Sequence, residues 1–398
     1  MASVFEKIKA FNSDRVPELV LLKYAAMAQD AFRFYRGTCH LFYEDLQGRQ
    51  DWEDPTRAWI CGDLHPENFG TYKGDNRVVY FDLNDFDEAL LAPASWEVAR
   101  MLTGIHLAGH VLALDTAIVA ELVQDYLTTY TLTLQSGKAL AVEKETASGL
   151  LLELLRNVAR RSEKELLKPR TALRKGRLYL YPDGIKLLPV DTTLKKELKA
   201  ALDERFTEQY GKGVFRIRDI AVRVAGTGSI GLQRYAALVL KVASGTYHLT
   251  DIKEARPSSV APYTPLEQPV WTSEAQRIIT LQNRQQYVAP AWLHAFSFKG
   301  ADFVVKELQP TQDRMELSLG KGKKKKLAAI LNTMARLNAA AQLRSSGRQG
   351  ASDADTLIAF AQDAGTWHPR LMRYAAGMAK RMLRQYEAYV KAYQQAVH

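Results

Sequence analysis

The sequence predicts an α+β fold with two lobes, one mainly helical and one built on a β-sheet. Apolar residues recur at three- and four-residue spacing before about residue 162 and again after about residue 321, which is typical of helices packed on a core. Between these blocks, five short runs rich in β-forming residues accompany one helix. We therefore divide the chain into residues 1–175, the first helical part, residues 176–310, the β-rich part, and residues 311–398, the C-terminal helices.

Each predicted element follows from a local pattern. Helical spacing covers residues 17–46 and 95–162, and two short strands lie between them at 58–61 and 77–81. Alternating apolar residues on both sides of Pro182-Asp183-Gly184 predict a hairpin. The later elements are a helix following residue 190, strands at 217–224, 235–242 and 247–252, a helix at 273–287, strands at 293–298 and 303–308, and helices from 321 onward.

The composition favours some classes of binding partner but does not identify a single one. The net charge is +10 and the pI is about 9.3, which favours anionic partners such as nucleotides or phosphorylated molecules. Aromatic residues are spread along helices instead of alternating with basic ones, so a nucleic-acid partner is disfavoured. The N-terminus has no continuous apolar segment, so we expect no signal peptide, no membrane partner and a cytoplasmic location.

A first polar cluster follows the two short strands. One strand ends near Asp63, and Asn68 follows five positions later; the next strand ends just before Asp82, and Asp85 comes after it. Phosphoryl transfer needs an oriented hydroxyl and cations that span the phosphates, which kinases supply with this order of residues. We expect Asp63 to be the catalytic base and Asn68 and Asp82 to bind Mg²⁺, with Asp85 as the alternative to Asp82. A pair of turns with solvated acids is the other interpretation.

A second motif is the glycine-rich segment at residues 226–231. A Rossmann turn with this spacing is followed by a helix, whereas a kinase glycine-rich loop is followed by a strand. The continuation LQRYAALVLKV is rich in β-forming residues, which favours the kinase loop. Residues without a Cβ let backbone amides approach phosphate oxygens. The expected nucleotide contacts are Gly226, Thr227, Gly228, Ser229 and Gly231.

Further nucleotide contacts are predicted from the strands that follow. Lys253 closes the third strand of this lobe and is expected to hold the α- and β-phosphates of ATP, although an exposed structural lysine is the alternative. Glu274 in the next helix is its expected carboxylate partner, with Glu267 as the alternative. Backbone groups of Glu307 and Leu308 are expected to contact the adenine.

The order of the two motifs differs from that of a protein kinase, in which the glycine-rich loop comes first. Here Asp63 precedes Gly226. If both assignments hold, the protein has a kinase-like two-lobed fold that is circularly permuted, with the catalytic motifs of the helical lobe first, the small β lobe second, and the C-terminal helices returning to the helical lobe. Otherwise one of the two assignments is false.

Several segments carry a resemblance to known families. GDLHPENF, followed by a strand and an aspartate, resembles the catalytic segment of aminoglycoside and choline phosphotransferases, which implies a kinase-like fold. Much of the chain resembles a bacterial family catalogued as domain of unknown function 2252, through FRFYRGTCHLFYEDL, WICGDLHPENFG, VVYFDLNDFDEALLAPASWEVARML and VAGTGSIGLQRY. The chain departs from that family at Glu97, where aspartate is usual, and at Gln342, where histidine tends to occur. The second resemblance implies no reaction.

These motifs together predict an ATP- and Mg²⁺-dependent phosphotransferase that acts on an unidentified small molecule or protein. Three alternatives stay open. The same residues would serve a nucleotide-binding sensor or scaffold without turnover, or a nucleotidyltransferase. The basic charge alone would also suit a nucleic-acid-binding protein.

Overall fold

The computed structural model describes residues 2–309, 313–314 and 324–397. It has a mixed α+β fold, so that prediction is confirmed. Residues 310–312 and 315–323, where the second predicted part ends and the third begins, lie outside the described residues. The described helices are α1 (Val4–Phe11), α2 (Pro17–Met27), α3 (Ala31–Gly37), α4 (Cys39–Arg49), α5 (Ala94–Val111), α6 (Thr116–Gln135), α7 (Gly149–Ala159), α8 (Glu163–Leu167), α9 (Thr192–Tyr210), α10 (Glu274–Gln285), α11 (Lys324–Ser345), α12 (Ala354–Gln362) and α13 (Ala364–Val397).

The described strands form four antiparallel sheets, of which one has six strands in the order β11-β12-β10-β9-β8-β7. The five strands expected over residues 217–308 all lie in this sheet, and β7 extends one edge. The described strands are β1 (Ala58–Ile60), β2 (Phe69–Lys73), β3 (Val79–Leu83), β4 (Leu90–Ala92), β5 (Thr171–Arg174), β6 (Arg177–Leu180), β7 (Leu187–Leu188), β8 (Phe215–Arg223), β9 (Arg234–Lys241), β10 (Thr246–Ala255), β11 (His294–Phe298), β12 (Ala301–Leu308) and β13 (Asp313–Arg314).

Different elements pack on the two faces of the six-stranded sheet. Helix α9 packs on one face, where Leu198, Leu202 and Phe206 join the buried side chains of the strands. The segment from α8 to β6 covers the other face, where Leu180 of β6 and Leu187 of the edge strand β7 belong to a separate apolar cluster. Because neighbouring residues of a strand point to opposite faces, β8, β9, β10 and β12 each contribute to both clusters.

The hairpin predicted about residues 182–184 is wrong. Strand β6 pairs with β5 through a turn at Lys175-Gly176, where both residues have positive φ angles of 48° and 71°. Strand β7 pairs with β8 instead. The carboxylate of Asp183 accepts hydrogen bonds from the amides of Ile185, Lys186 and Leu187, so it closes a turn between strands of different sheets.

The helical part has one large core, which includes residues from both ends of the chain. Helix α11 packs against α6, and α13 packs against α5 and α1. The hydroxyl of Tyr389 donates to the carbonyl oxygen of Tyr24 at 2.9 Å, and that of Tyr386 donates to Ala28 at 3.0 Å. The C-terminal helices therefore complete the core that the N-terminal helices begin.

Two small sheets carry the segment between α4 and α5. Strand β1 pairs with β4, and β3 pairs with β2, which lies in a segment expected to be a loop. Asp82 was expected to follow a strand, but it lies inside β3, opposite Gly70. Within the described part of the chain, no helix is both long and apolar enough to traverse a lipid bilayer.

Candidate active site

A cleft lies between the helical part and the six-stranded sheet. One cavity of about 300 Å³ is lined by residues 226–229 together with Asp63, Asp85 and Asp87. A second cavity of about 730 Å³ extends beneath the sheet and has Asp63, Asp85 and Gly226 in its wall as well. The cleft is therefore built from segments that are far apart in the sequence.

Asp63 is held by a buried arginine. Arg100 of α5 donates from Nε to Asp63 Oδ1 at 2.8 Å, and its Nη2 donates to the same oxygen and to the carbonyl of Tyr35. Burial opposes the charge of Arg100, but the neighbouring Asp63 carboxylate raises the pKa of the guanidinium. The second oxygen of Asp63, Oδ2, accepts no hydrogen bond from the described residues, and the side chain is 21% exposed. This oxygen is free to accept a proton from a bound molecule.

Asn68 connects the loop of Asp63 to the acidic loop, residues 84–88 between β3 and β4. Its Nδ2 donates to the carbonyl oxygens of Asp63 at 3.1 Å and Asp85 at 3.2 Å. Its Oδ1 accepts from the amides of Asn84 and Asp85 at 3.2 and 2.9 Å. Both lone pairs of that oxygen are engaged, so Asn68 would bind Mg²⁺ only after residues 84–85 move.

Asp82 is buried and forms hydrogen bonds that connect β3 to other segments, and it does not line either cavity. It is 1% exposed, and its Oδ2 accepts from Arg344 Nη2 and from the amide of Tyr287, both at 3.3 Å. Burial raises the pKa of this carboxyl. The strand was predicted to end two residues too early, so the acid that leaves the strand is Asp85 and not Asp82.

Asp85, the alternative metal ligand, does reach the cleft and lines both cavities. It precedes Phe86, which is 2% exposed, as the Mg²⁺-binding aspartate of protein kinases precedes a buried phenylalanine. This Asp-Phe step is the sequence signal that distinguishes Asp85 from Asp82. The carboxylates of Asp63, Asp85 and Asp87 line the same cavity, and carboxylate oxygens are the hard ligands that Mg²⁺ prefers.

Lys253 meets the acidic loop across the cleft. Its Nζ lies 3.3 Å from Asp85 Oδ1 and contacts the carboxylate of Asp87, although 168 positions separate it from Asp85. Burial opposes the charge, but the two carboxylates raise the pKa of Lys253. Burial and the charge of Asp85 raise the pKa of Asp87. The lysine is thus charged and aimed at the acids of the cleft.

The predicted pairing of Lys253 with Glu274 is wrong. Glu274 accepts from Arg277 Nε at 2.6 Å, one turn along α10. Arg277 is buried and donates from Nη2 to the carbonyls of Asp87 and Arg256, both at 2.9 Å. Helix α10 therefore supports the acidic loop through an arginine, which the sequence analysis missed. The signal was a basic residue on the apolar side of the helix.

The glycine-rich segment joins β8 to β9 and is hydrogen-bonded to side chains of the N-terminal helical region. Gly226 and Gly231 have φ angles of 75° and 98°, which a residue with a Cβ rarely adopts. The carbonyl oxygen of Gly228 accepts from Arg15 at 2.8 Å and from the buried Lys23 at 3.1 Å. In the described part of the chain, the amides of Thr227 and Gly228 have no hydrogen-bond acceptor. Adjacent free amides at a glycine turn suit an anion.

The segment at residues 226–229 lines the first cavity, whereas Gly231 is not in its wall and lies against Arg15 and Val20. Arg234 of β9 holds the base of the turn, since its Nη1 donates to the carbonyl oxygen of Ala225 at 2.9 Å. The four residues from Gly226 to Ser229 are thus placed to contact a ligand, and Gly231 is placed to shape the turn.

The second cavity has an apolar end and a charged end. Leu308, Ala236 and Leu249 line the apolar end with Leu180 and Leu187, and the charged end holds Arg223, Arg234, Lys253 and Lys306. Leu308 is therefore in the cavity wall. Glu307 is not, because its side chain points to the opposite face of β12 and its amide donates to Ala291 at 2.9 Å.

Glu97 and Gln342 are in contact beside the strand that leads into Asp63. Gln342 Nε2 lies 3.3 Å from Glu97 Oε2, and Glu97 Oε1 accepts from the amide of Cys61 at 2.6 Å. Burial raises the pKa of Glu97 to about 7. The pair therefore supports the backbone that leads into Asp63.

Comparison with known proteins gives one result. The model of a family described as "Uncharacterized protein conserved in bacteria (DUF2252)" matches residues 15–392. No curated protein and no solved structure matches the chain.

Proposed function

The chain belongs to the DUF2252 family of bacterial proteins, and we propose that it is an ATP- and Mg²⁺-dependent phosphotransferase with a permuted kinase-like fold. The main support for this proposal is the contact of Lys253 with Asp85 and Asp87 near the glycine-rich segment at residues 226–231. It joins the cation expected to bind phosphate to the acids expected to bind metal. The acceptor is a hydroxyl-bearing small molecule or protein.

The arrangement of strands supports the kinase-like part of this proposal. The glycine turn joins the first two strands of the five expected, and Lys253 lies on the third, as in protein kinases. Helix α10 and two further strands follow. Packing of α13 on α1 and α5 supports the permutation, because the C-terminal helices then complete the lobe that contains Asp63.

In the proposed reaction, the acceptor hydroxyl oxygen attacks the γ-phosphorus, the bond to the β-phosphate oxygen breaks, and ADP leaves. Asp63 Oδ2 accepts the hydroxyl proton while Arg100 fixes the carboxylate through Oδ1. The amides of Thr227 and Gly228 contact phosphate oxygens, and Lys253 exchanges its two carboxylate partners for phosphate. Mg²⁺, when bound, supplies positive charge that stabilises the phosphate oxygens.

The shape of the second cavity suits a nucleoside. Its apolar end accommodates a flat base between Ala236, Leu249 and Leu308, and its charged end lies toward Lys253. A volume of about 730 Å³ lies within the range of small-molecule sites, about 300–1,000 Å³. The apolar end would thus bind the base by burying its apolar surface, and the charged end would bind the phosphates through their negative charge.

ADP release with ATP and Mg²⁺ tests the proposal. We expect Asp63→Asn to reduce turnover by about 10²- to 10⁴-fold, the usual contribution of a general base, and to leave ATP affinity within a few-fold. Lys253→Met should weaken ATP binding. Lys241→Met, an exposed lysine on β9, is the control and should change neither. Absence of ATP binding by the folded protein would contradict the proposal.

A nucleotide sensor without turnover is a second candidate. It is favoured by Asn68, whose Oδ1 is engaged by two backbone amides instead of being open to a metal ion. A sensor would bind ATP through Lys253 but release no ADP with any acceptor, and Asp63→Asn would have no effect. The same two assays therefore distinguish the candidates.

A further inference from the structure

Three side chains that commonly bind metals meet outside the cleft, where α8 approaches the start of β10 and the end of β12. They are Glu163 of α8, His248 of β10 and Glu307 of β12. Each offers one ligand atom, and the three atoms all lie within 4.8 Å of one another. Nothing in the proposed phosphotransfer uses them.

The distances suit a metal ion better than a hydrogen-bonded cluster. His248 Nδ1 lies 3.4 Å from Glu307 Oε1 and 4.0 Å from Glu163 Oε2. These separations are at or beyond the limit of a hydrogen bond. Ligand bonds of about 2.1 Å to a tetrahedral ion place neighbouring ligand atoms roughly 3.4 Å apart. Small side-chain movements would bring the third ligand to that separation.

The ligand atoms are buried and lack hydrogen bonds. Glu307 has a side chain that is 2% exposed, and its Oε1 has no hydrogen-bond partner in the described part of the chain. Its other oxygen, Oε2, accepts from Arg77 at 3.2 Å and Gln309 at 3.1 Å. His248 Nδ1 and Glu163 Oε2 are likewise buried without a hydrogen-bond partner. Buried polar atoms are seldom left in this state, so a bound ion accounts for all three at once.

The orientation of the imidazole is set by its neighbours. Its Nε2 lies 3.2 Å from Thr246 Oγ1, and the ring packs against Trp292 with 5.5 Å between ring centroids. A polar partner on the second ring nitrogen is typical of metal-binding histidines, because it fixes the tautomer that leaves the other nitrogen unprotonated. Here that nitrogen is Nδ1, which faces the two carboxylates.

We propose that Glu163, His248 and Glu307 bind a divalent transition-metal ion, with Zn²⁺ as the ion of best-matched chemistry. One imidazole and two carboxylates suit Zn²⁺, whereas Mg²⁺ prefers oxygen ligands alone. The side chain of Glu163 is 35% exposed, so water can complete the coordination from that side. This site is separate from the Mg²⁺ site proposed in the cleft.

The ion would connect α8, which forms part of the wall of the larger cavity, to the six-stranded sheet. Glu163 is the first residue of α8, and Leu166 of the same helix lines the cavity. His248 and Glu307 are each next to a cavity-lining leucine, Leu249 and Leu308. Binding at this site would therefore stabilise the wall that a ligand of the cavity contacts.

Zn²⁺ titration of the full chain, with excess Mg²⁺ to occupy the cleft, tests the proposal by calorimetry. We expect one ion per chain and a higher melting temperature with Zn²⁺. His248→Asn and Glu163→Gln should each weaken binding at least tenfold. His110→Asn, an exposed histidine, is the control and should bind normally.

We expect the Glu163→Gln variant to fold normally, so a loss of Zn²⁺ binding in this variant would not result from misfolding. The capping box of α8 uses Ser162 and Glu165, so replacing Glu163 leaves the helix start intact. The proposal is overturned if Zn²⁺ does not bind, or if it binds equally well to Glu163→Gln and His248→Asn. Neither result depends on ATP turnover, so the proposed phosphotransferase activity is tested separately.

Discussion

The two faces of the six-stranded sheet use the same strands for different purposes. On one face, the 19-residue helix α9 packs directly, and Phe206 contacts the rings of Phe215, Trp292 and His294. On the other, the five-residue α8 and the β5–β6 hairpin leave a cavity of about 730 Å³. Burial of aromatic surface stabilises the first face, whereas the second gives up some of that stabilisation and retains space for a ligand.

Because of this difference, we expect substitutions on the two faces to affect stability and nucleotide binding separately. Substitutions on the face covered by α9 should destabilise the fold and leave nucleotide affinity unchanged. Substitutions on the cavity face should weaken nucleotide binding more than they destabilise the fold. The four predictions below test that division, from the largest expected effect to the smallest.

Phe206→Ala should have the largest effect on stability. The ring is 2% exposed and packed among aromatic side chains, so its removal should cost about 3–5 kcal/mol of unfolding free energy. Urea denaturation measures the loss. ATP affinity of the folded fraction should match that of the wild type; a parallel loss of affinity would show that the two faces are not independent.

His294 should make the packed face sensitive to acid. Burial lowers its pKa from 6.5 to about 4, and neutral His294 donates from Nδ1 to the carbonyl of Trp292 at 2.8 Å. Between these pH values the unfolded chain binds a proton that the folded chain does not, so stability falls as pH falls from 6.5 to 4, by roughly 3 kcal/mol in total.

Urea denaturation at several pH values checks this slope. His294→Gln should lose the histidine's part of the pH dependence between pH 6.5 and 4. His110→Gln, which replaces an exposed histidine, should keep the slope of the wild type. An unchanged slope in His294→Gln would refute the assignment.

Leu249→Ala should affect binding more than stability. Leu249 is buried but borders the cavity, so its truncation should cost about 2 kcal/mol, the low end for a buried leucine. It should also weaken ATP binding because the apolar wall is lost. Leu198→Ala on the packed face is the matched control: it should cost more stability and leave binding unaltered.

Asp191→Ala should have the smallest effect. Asp191 caps α9 by accepting from the amides of Thr193 and Leu194, both at 2.9 Å. Loss of an N-cap costs about 1 kcal/mol. Thermal unfolding should show this modest decrease with unchanged ATP binding, and an effect as large as that of Phe206→Ala would mean that α9 has another role.

Local patterns predicted much of the fold. The glycine-rich segment was placed between two strands because β-forming residues follow it, and β8 and β9 lie where expected within a few residues. Strand β2 was missed because it contains Gly70 and ends next to Gly74, which are typical of turns. The hairpin predicted about residue 183 was wrong because alternation shows that residues form strands but not which strands pair.

The candidate site was predictable in part for a related reason. Asp63 and Lys253, which both line the cleft, were selected because each follows or ends a clear strand pattern. Asp82 was preferred over Asp85 because strand ends are uncertain by a few residues, and such an error moves an acid from the cleft to the core. Arg277 was missed because the direction of a helical side chain depends on how α10 packs, which no short motif encodes.

The most direct measurement is a crystal structure of the protein with Mg²⁺ and a non-hydrolysable ATP analogue. We predict phosphates against the amides at residues 227–228, the metal on Asp85, Lys253 in contact with phosphate, and the base between Ala236 and Leu308. A nucleotide bound elsewhere, with Lys253 still paired to Asp85 and Asp87, would contradict the proposed active site.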